Sequence, residues 1–432
     1  MNIHIITLGC KVNLYESENI KQNFISHGYT VSKSETEADI FIVNSCTVTG
    51  NSDKKLKKEV RRLRREYPSS VIVLTGCFPQ AFSEEAKKLD ADIITGTKNR
   101  NLLPKLVSEF LSTYIKTCHV SEYARNEKFE LMTNVGYENN TRAFVKIQDG
   151  CNMFCTYCII PYSRGNFRSK PIMDIIYEVK QLAEAGYKEI VLVGINLSFY
   201  GIDFGKRLID AVEAVCKVDG IERVRLGSIE PEIITEDDIL RLANLKKLCP
   251  QFHLSLQSGC DKTLKAMNRR YNTTEYKRIV DLLRKSFYNV AITTDIMVGF
   301  PGETDEDFEQ SLNFIQKIGF SKSHVFPYSP RKGTIAAEFD NQIPENIKNI
   351  RTAQMIELTN ESTQKFLESQ LGKEFPVLFE REKTDGIHHG FTPNYTHVKI
   401  LTKNSDKSLR NQLFYVKIIE LGKDCCIGEI LS

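Results

Sequence analysis

No apolar stretch of this sequence is long enough to cross a bilayer; the longest runs, such as 190–193 and 71–74, are strand-length, and no membrane role is expected. The first residues, MNIHIITLGCKVN, have neither the basic region nor the long apolar core of a secretory signal, which predicts a cytoplasmic location. A strong net charge is missing too. With 58 Lys/Arg against 55 Asp/Glu the balance is +3, so no global field announces a polyanionic partner. What remains is the composition of a soluble globular protein, 41% hydrophobic and 26% charged. Its 432 residues exceed one ordinary core and predict two or three domains. Twelve cysteines then need an explanation. In a reducing compartment disulfides account for them poorly, and metal or catalytic roles rise.

The chain divides by pattern into an expected α/β protein of three parts. Residues 1–115 alternate β-branched runs (3–8, 40–43, 71–75, 92–95) with helix-like segments (15–27, 52–67, 80–89, 100–111), which predicts a parallel α/β sheet domain. The pattern fades over 116–140, a polar stretch read as a linker. It resumes over 141–369, where runs at 143–148, 190–193, 223–227, 253–256, 292–298 and 323–328 alternate with helical stretches. Six βα units predict a partial (βα)6 barrel, closed by a long helix over 345–369. Residues 370–432 are glycine-punctuated and β-rich (FPVLFE, YTHVKIL, QLFYVKIIEL, CIGEIL), which predicts a small antiparallel β barrel.

The cysteines fall into two trios. GCNMFCTYC places Cys151, Cys155 and Cys158 in a C-x3-C-x2-C pattern just after the first strand of the barrel region. Three thiolates within eight residues can wrap one face of a four-iron cluster and leave one iron open. The amino and carboxylate groups of S-adenosylmethionine (SAM) can chelate such an iron, and one electron then cleaves the sulfonium to a 5′-deoxyadenosyl radical. A zinc knuckle is the plainer alternative, but zinc wants a fourth ligand, and no nearby Cys or His supplies it. The second trio is Cys10, Cys46 and Cys77, in TLGCKVN, VNSCTVT and LTGCFPQ. Each follows the end of an expected strand. In a parallel sheet all such ends emerge on one edge, so the three should converge on a second iron site with an open position. The competing account, three buried cysteines acting as small hydrophobes, is weakened by their shared topological position. Cys118, Cys216, Cys249, Cys260, Cys425 and Cys426 show no ligand spacing.

TLGCKVNLYESE, NSCTVTGNSDKK, LTGCFPQ, GCNMFCTYCIIPYSRG and DIMVGFPGET together resemble the methylthiotransferases, a family with a three-cysteine N-terminal domain, a radical SAM domain and a C-terminal TRAM domain in this order. The resemblance covers essentially the whole chain. GCKVN (residues 9–13) resembles the group acting on N6-threonylcarbamoyladenosine at position 37 of tRNA, whereas GCQMN marks the isopentenyladenosine group and GCPKN the group acting on a ribosomal protein. The resemblance implies two [4Fe-4S] clusters, with SAM used both as methyl donor and as the source of the radical that takes hydrogen from C2 of the adenine. The partners it implies are tRNA, an electron donor such as a flavodoxin or ferredoxin, and a source of sulfur. The other readings weighed are a target on a ribosomal protein side chain or isopentenyladenosine tRNA, and a non-catalytic iron–sulfur electron carrier or RNA-binding sensor.

Barrel sites lie at strand C-termini. There the sequence offers Gly194, Asn196, Ser228, Glu230, Gln257, Asp295 and Gly299 as SAM contacts, with helix caps or turns as the competing roles. Tyr157 resembles the family aromatic beside the adenine. Arg164 and Arg168, in SRGNFRS, are candidates for the SAM carboxylate or a tRNA phosphate, against an exposed salt bridge. The run 54–65 holds eight Lys/Arg against Glu59 alone; Lys54, Lys58, Arg61 and Arg65 recur at helical spacing, as a phosphate-binding or merely solvated face. In the C-terminal barrel, Phe379, Arg381, Lys383, His388, His389, Tyr395 and Lys399 form a mixed aromatic and basic set of the kind that binds RNA.

Overall fold

Continuous apolar runs need cover on both faces, and the first hundred residues provide it. The computed structural model describes residues 1–124, 126–132, 136, 141–380, 386–401 and 408–431. Strands β1 (Asn2–Thr7), β2 (Thr30–Val31), β3 (Ile40–Ser45), β4 (Val71–Gly76), β5 (Ile93–Thr95) and β6 (Thr117–His119) form one parallel sheet in the order β2-β1-β3-β4-β5-β6. Every residue of the central β3 and β4 is buried. Phe41, Val43 and Leu74 pack on one side, and Ile40, Ile42 and Val73 on the other, as a doubly covered parallel sheet requires. The short edge strands β2 and β6 were not visible as sequence patterns, being too brief for a period to show. β6 lies within the stretch read as a linker. Helices α1 (Lys11–Ser26), α2 (Gly50–Glu66) and α3 (Cys77–Ala81) follow β1, β3 and β4. α1 begins four residues earlier than the pattern suggested, with Cys10 as its N-cap.

The central region is the expected open barrel. Strand β7 (Arg142–Lys146) leads to a short antiparallel pair, β8 (Gln148–Asp149) with β9 (Arg168–Ser169), which brackets the CxxxCxxC loop. The parallel wall continues through β10 (Glu189–Val193), β11 (Arg223–Leu226), β12 (Ser228–Ile229), β13 (Gln251–Leu254), β14 (Ala291–Val298) and β15 (Lys322–Pro327). Gly227 interrupts one barrel position into β11 and β12, so six strand positions make an arc rather than a closed ring. One large apolar core lies between this wall and its helices. The helix Glu345–Glu368 packs along β15.

Strands β16 (Glu374–Phe379), β17 (Ile387–Phe391), β18 (His397–Leu401), β19 (Leu413–Leu421) and β20 (Cys426–Ile430) close a small barrel in the order β16-β17-β18-β20-β19. It is not wholly antiparallel, because β18 and β20 pair in parallel. Arginines at the start of the barrel strands grip it. Arg142 bonds Tyr395 and Glu380 at 2.6 and 2.7 Å, Arg223 reaches the Phe391 and Pro376 carbonyls, and Arg225 the Pro393 carbonyl. Among the described residues no helix is long and apolar enough to cross a membrane.

Candidate active site

Because β1, β3 and β4 are adjacent and parallel, the residues that follow them emerge side by side, and these are Cys10, Cys46 and Cys77. The turns are tight. Gly9 sits at φ +144°, where an added Cβ would lie 2.9 Å from the Cys46 Cβ; Gly76 sits at φ +104°, where it would lie 2.5 Å from the Ser45 carbonyl oxygen. Only glycine meets both demands. Asn13 laces the Cys10 turn to the next strand end: its amide donates to the Ser45 carbonyl at 3.1 Å, and its Oδ1 accepts from the Cys10 thiol at 3.3 Å. Burial pushes the Cys46 thiol up to about 12, and the nearby Cys77 and Cys10 sulfurs add to it. Burial also raises Cys77, with Arg164 opposing.

Each of the three cysteine loops has its own tie to the barrel mouth. After Cys10, Val12 packs against Val191 and Val193 of β10. After Cys46, Thr47 accepts from Arg331 at 2.8 Å, Arg331 also bonds Asp53 at 2.6 Å, and the Gly50 amide donates to Ser329 at 3.1 Å. Cys77 accepts from the Arg164 Nε–H at 3.2 Å. The cysteine edge of the sheet therefore faces the C-terminal mouth of the barrel, the end at which barrel chemistry is built.

On the barrel side, the loop of Cys151, Cys155 and Cys158 is fixed by its backbone. Cys151 N–H donates to the Gly165 carbonyl at 3.0 Å, Thr156 N–H to the Met267 carbonyl at 3.1 Å, and the Thr156 carbonyl accepts from Ala336 at 2.8 Å. Two side chains aim donors at its sulfurs: Asn196 Nδ2 lies 3.7 Å from Cys151 Sγ and Arg269 lies 3.4 Å from Cys155 Sγ. Burial lifts Cys151 to about 11 and raises Cys155 and Cys158. Among the described residues no three His, Cys, Asp or Glu groups surround a single-ion position. Within each trio the sulfurs lie near enough to act on one another's charge, and thiols are the donor type an iron–sulfur cluster would take, its metal displacing their protons.

The residues read from sequence as SAM contacts take varied places. Asn196 and Gly194 follow β10, where the Asn196 amide donates to Gln148 Oε1 at 2.8 Å, and Ser228 is exposed. Glu230 pairs with Arg269, a buried residue that sequence reading missed because nothing in RRYN marks it. Gln257 stands at φ +67° with a buried Oε1 that has no hydrogen-bond partner among the described residues. Asp295 lies 3.3 Å from His253 Nε2, which lowers its pKa against the effect of burial. Gly299 turns at φ +69°, its amide bonded to Glu303, and Tyr157 packs edge-on against Phe300. Arg164 and Arg168 are buried, not solvent-facing. Arg168 bonds Asp149 at 2.9 Å and Arg164 bonds Glu16, so neither presents a free face to a phosphate in this arrangement.

The basic run lies on α2 after Cys46. Lys57, Arg62 and Arg64 turn to Glu85, to Glu35, Glu59 and Glu66, and to Asp92. Lys54, Lys58, Arg61 and Arg65 are exposed, and of these only Arg65 has an ion-pair partner among the described residues, Glu66. If this face meets RNA phosphates, each lost contact lowers the salt slope of binding by about 0.7–0.9. Arg61→Gln/Arg65→Gln is expected to weaken tRNA binding at low salt, with the difference shrinking as salt rises. Equal affinities and slopes in a titration across salt would make it only a solvated face. In the C-terminal barrel, Phe379 and His388 are buried and Tyr395 faces the Arg142 and Arg225 guanidiniums, leaving His389 and Lys399 toward the surface; Arg381 and Lys383 lie outside the described residues.

Residues 145–315 match the Radical SAM superfamily and residues 2–96 the uncharacterized protein family UPF0004. The chain is 36% identical over 400 residues to the threonylcarbamoyladenosine tRNA methylthiotransferase MtaB of Aquifex aeolicus, covering 92% of this chain and 96% of that protein. It is 36% identical over 426 residues to that of Bacillus subtilis, covering 96% and 93%. It is also 36% identical over 439 residues to the tRNA-2-methylthio-N(6)-dimethylallyladenosine synthase of Caldicellulosiruptor saccharolyticus, covering 99% and 92%. Among solved structures, the radical SAM methyltransferase TsrM of Kitasatospora setae, with cobalamin and a [4Fe-4S] cluster bound, shares the fold with a TM-score of 0.56 at 11% identity, over 76% of each chain.

Proposed function

This chain belongs to the radical SAM tRNA methylthiotransferases, and we propose that it places a methylthio group on C2 of N6-threonylcarbamoyladenosine at position 37 of tRNA. The observation that carries this reading is that all three N-terminal cysteine loops dock on the mouth of the barrel that holds the second trio. A sulfur-bearing group and a radical source must meet one substrate carbon, and this docking brings their ligands to one mouth. An sp2 C–H bond has no acid–base route to substitution at neutral pH. SAM, when bound, supplies both the methyl group and the radical chemistry that such a bond demands.

In this reading Cys151, Cys155 and Cys158 hold one [4Fe-4S] cluster and Cys10, Cys46 and Cys77 a second. Gln257, with its unpartnered buried oxygen, Asn196 and Tyr157 surround SAM. Residues 1–115 carry the auxiliary site, 141–369 the radical SAM barrel and 370–432 a TRAM-like barrel, with 116–140 between the first two. An electron donor such as a flavodoxin or ferredoxin serves the barrel cluster, and the exposed face of α2 meets the tRNA backbone.

One residue favours the threonylcarbamoyl nucleoside over the dimethylallyl one. Within GCKVN, Val12 packs on the barrel and Asn13 laces the turn, which leaves Lys11. Lys11 is open to solvent yet crowded by protein. Desolvation lowers its pKa; the Tyr395 and Cys10 charges oppose this, and those of Arg142 and Arg225 reinforce it. A cation beside Cys10 suits the carboxylate of a threonylcarbamoyl group and has nothing to offer an apolar dimethylallyl chain. The close similarity to dimethylallyl-type relatives makes that nucleoside the second reading. Mass spectrometry of tRNA nucleosides from a strain lacking this chain separates the two, because only the nucleoside this chain modifies loses its methylthio form.

A further inference from the structure

Arg164 stands six residues after Cys158, on the helix Ile160–Arg164 of the barrel, yet its side chain serves the other domain. The guanidinium is fully buried. Two of its nitrogens bond the Glu16 carboxylate of α1, at 2.5 and 3.0 Å, and the remaining Nε–H donates to Cys77 Sγ at 3.2 Å. All three donor positions of the planar fork are thereby aimed.

The charges around it do not balance. Among the described residues of this network, four cations, Arg100, Lys146, Arg164 and Arg168, meet three carboxylates, Glu16, Asp149 and the partly exposed Glu130. Glu16 alone is shared by Arg100, Lys146 and Arg164, which hold its carboxyl down at about 2 although burial pushes the other way. Buried charges are ordinarily paired. One positive charge is left over, and the group nearest to it on the open side of Arg164 is Cys77. An arginine keeps its proton, so the positive charge beside the Cys77 sulfur is permanent.

We propose that Arg164 is a positioning residue for the N-terminal cluster: it orients the Cys77 sulfur by a charged N–H···S bond, and it raises the reduction potential of that cluster alone. This rests on the reading that Cys10, Cys46 and Cys77 hold a cluster. Hydrogen bonds and net charge at cluster sulfurs set the potential, and a buried cation favours the more negative, reduced state. Because the arginine comes from the barrel, the potential is set only when the two domains are docked. Arg269 stands in the corresponding place at the barrel trio, against Cys155 and Glu230, so each trio has its own buried arginine.

The test is an anaerobic redox titration of the reconstituted full-length protein, followed by electron paramagnetic resonance, on wild type and two variants. Arg164→Lys keeps the charge and one bond to Glu16 but cannot also reach the sulfur with a fixed fork. The variant Arg164→Gln removes the charge and the bond to the sulfur, while the Glu16 carboxylate keeps Arg100 and Lys146 as partners. The midpoint of the N-terminal cluster, identified by its loss in Cys10→Ala/Cys46→Ala/Cys77→Ala, is expected to move to more negative potential in both variants. The barrel cluster's midpoint should stay in place and the iron content should be unchanged. An unshifted N-terminal midpoint in either iron-replete variant overturns the proposal and leaves Arg164 as an interdomain tie. If wild type itself binds only about four irons with one midpoint, it is the auxiliary-cluster reading that fails.

Discussion

Replacing Cys151, Cys155 and Cys158 together with alanine is expected to remove about half of the iron from the anaerobically reconstituted protein and to abolish 5′-deoxyadenosine formation from SAM. The fold should survive, because the loop is held by bonds that involve no thiol. The Cys151 amide, the Thr156 amide and the Thr156 carbonyl keep their partners at Gly165, Met267 and Ala336, and Asn268 keeps its 3.1 Å bond to the Phe154 carbonyl. The groups aimed at the sulfurs, the Asn196 Nδ2 and the Arg269 guanidinium, are donors and do not take their place as ligands. Iron analysis and chromatography of the nucleoside products check this. Full iron retention, or continued 5′-deoxyadenosine formation, would move the radical site elsewhere.

Cys46→Ala should divide the reaction in two. The thiol is buried beside Gly9 in a turn whose anchors, Thr47 to Arg331 and Asn13 to Ser45, do not depend on it, so docking persists. The barrel trio is untouched, and 5′-deoxyadenosine should still form at a rate close to wild type. Methylthiolated tRNA should fall to background, because a cluster deprived of one of three ligands cannot present sulfur in place. Both products are read from one anaerobic reaction. Normal methylthio yield would make Cys46 a structural thiol and remove the case for a second cluster.

The alternation of apolar runs and helical segments was enough to read both parallel sheets, since β3, β4 and β10 are buried along their whole length and leave an uninterrupted signal. The brief edges β2 and β6, and the parallel pairing of β18 with β20, depend on tertiary closure that no local period records. The shared edge of Cys10, Cys46 and Cys77 was legible for a topological reason, since strand ends in a parallel sheet emerge together, whereas Cys151, Cys155 and Cys158 showed as a local spacing. Arg164 was misplaced because a sequence shows a charge without its partner. Glu16 lies 148 positions away, in another domain, and an arginine near a cluster motif reads as exposed until that pairing is seen. The same blindness hid Arg331 and Arg269. In the C-terminal barrel the aromatic and basic composition was real, but strand alternation turns Phe379 and His388 inward.

The most direct measurement supplies the reconstituted protein with SAM, a low-potential reductant and tRNA carrying either N6-threonylcarbamoyladenosine or N6-dimethylallyladenosine at position 37, and analyses the digested nucleosides by mass spectrometry. The predicted result is a methylthio group on the threonylcarbamoyl nucleoside, accompanied by both S-adenosylhomocysteine and 5′-deoxyadenosine, with the dimethylallyl tRNA left unchanged. Methylthiolation of the dimethylallyl nucleoside alone would contradict the role given to Lys11. The absence of product on both tRNAs, with SAM still cleaved, would contradict the assignment of tRNA as the substrate.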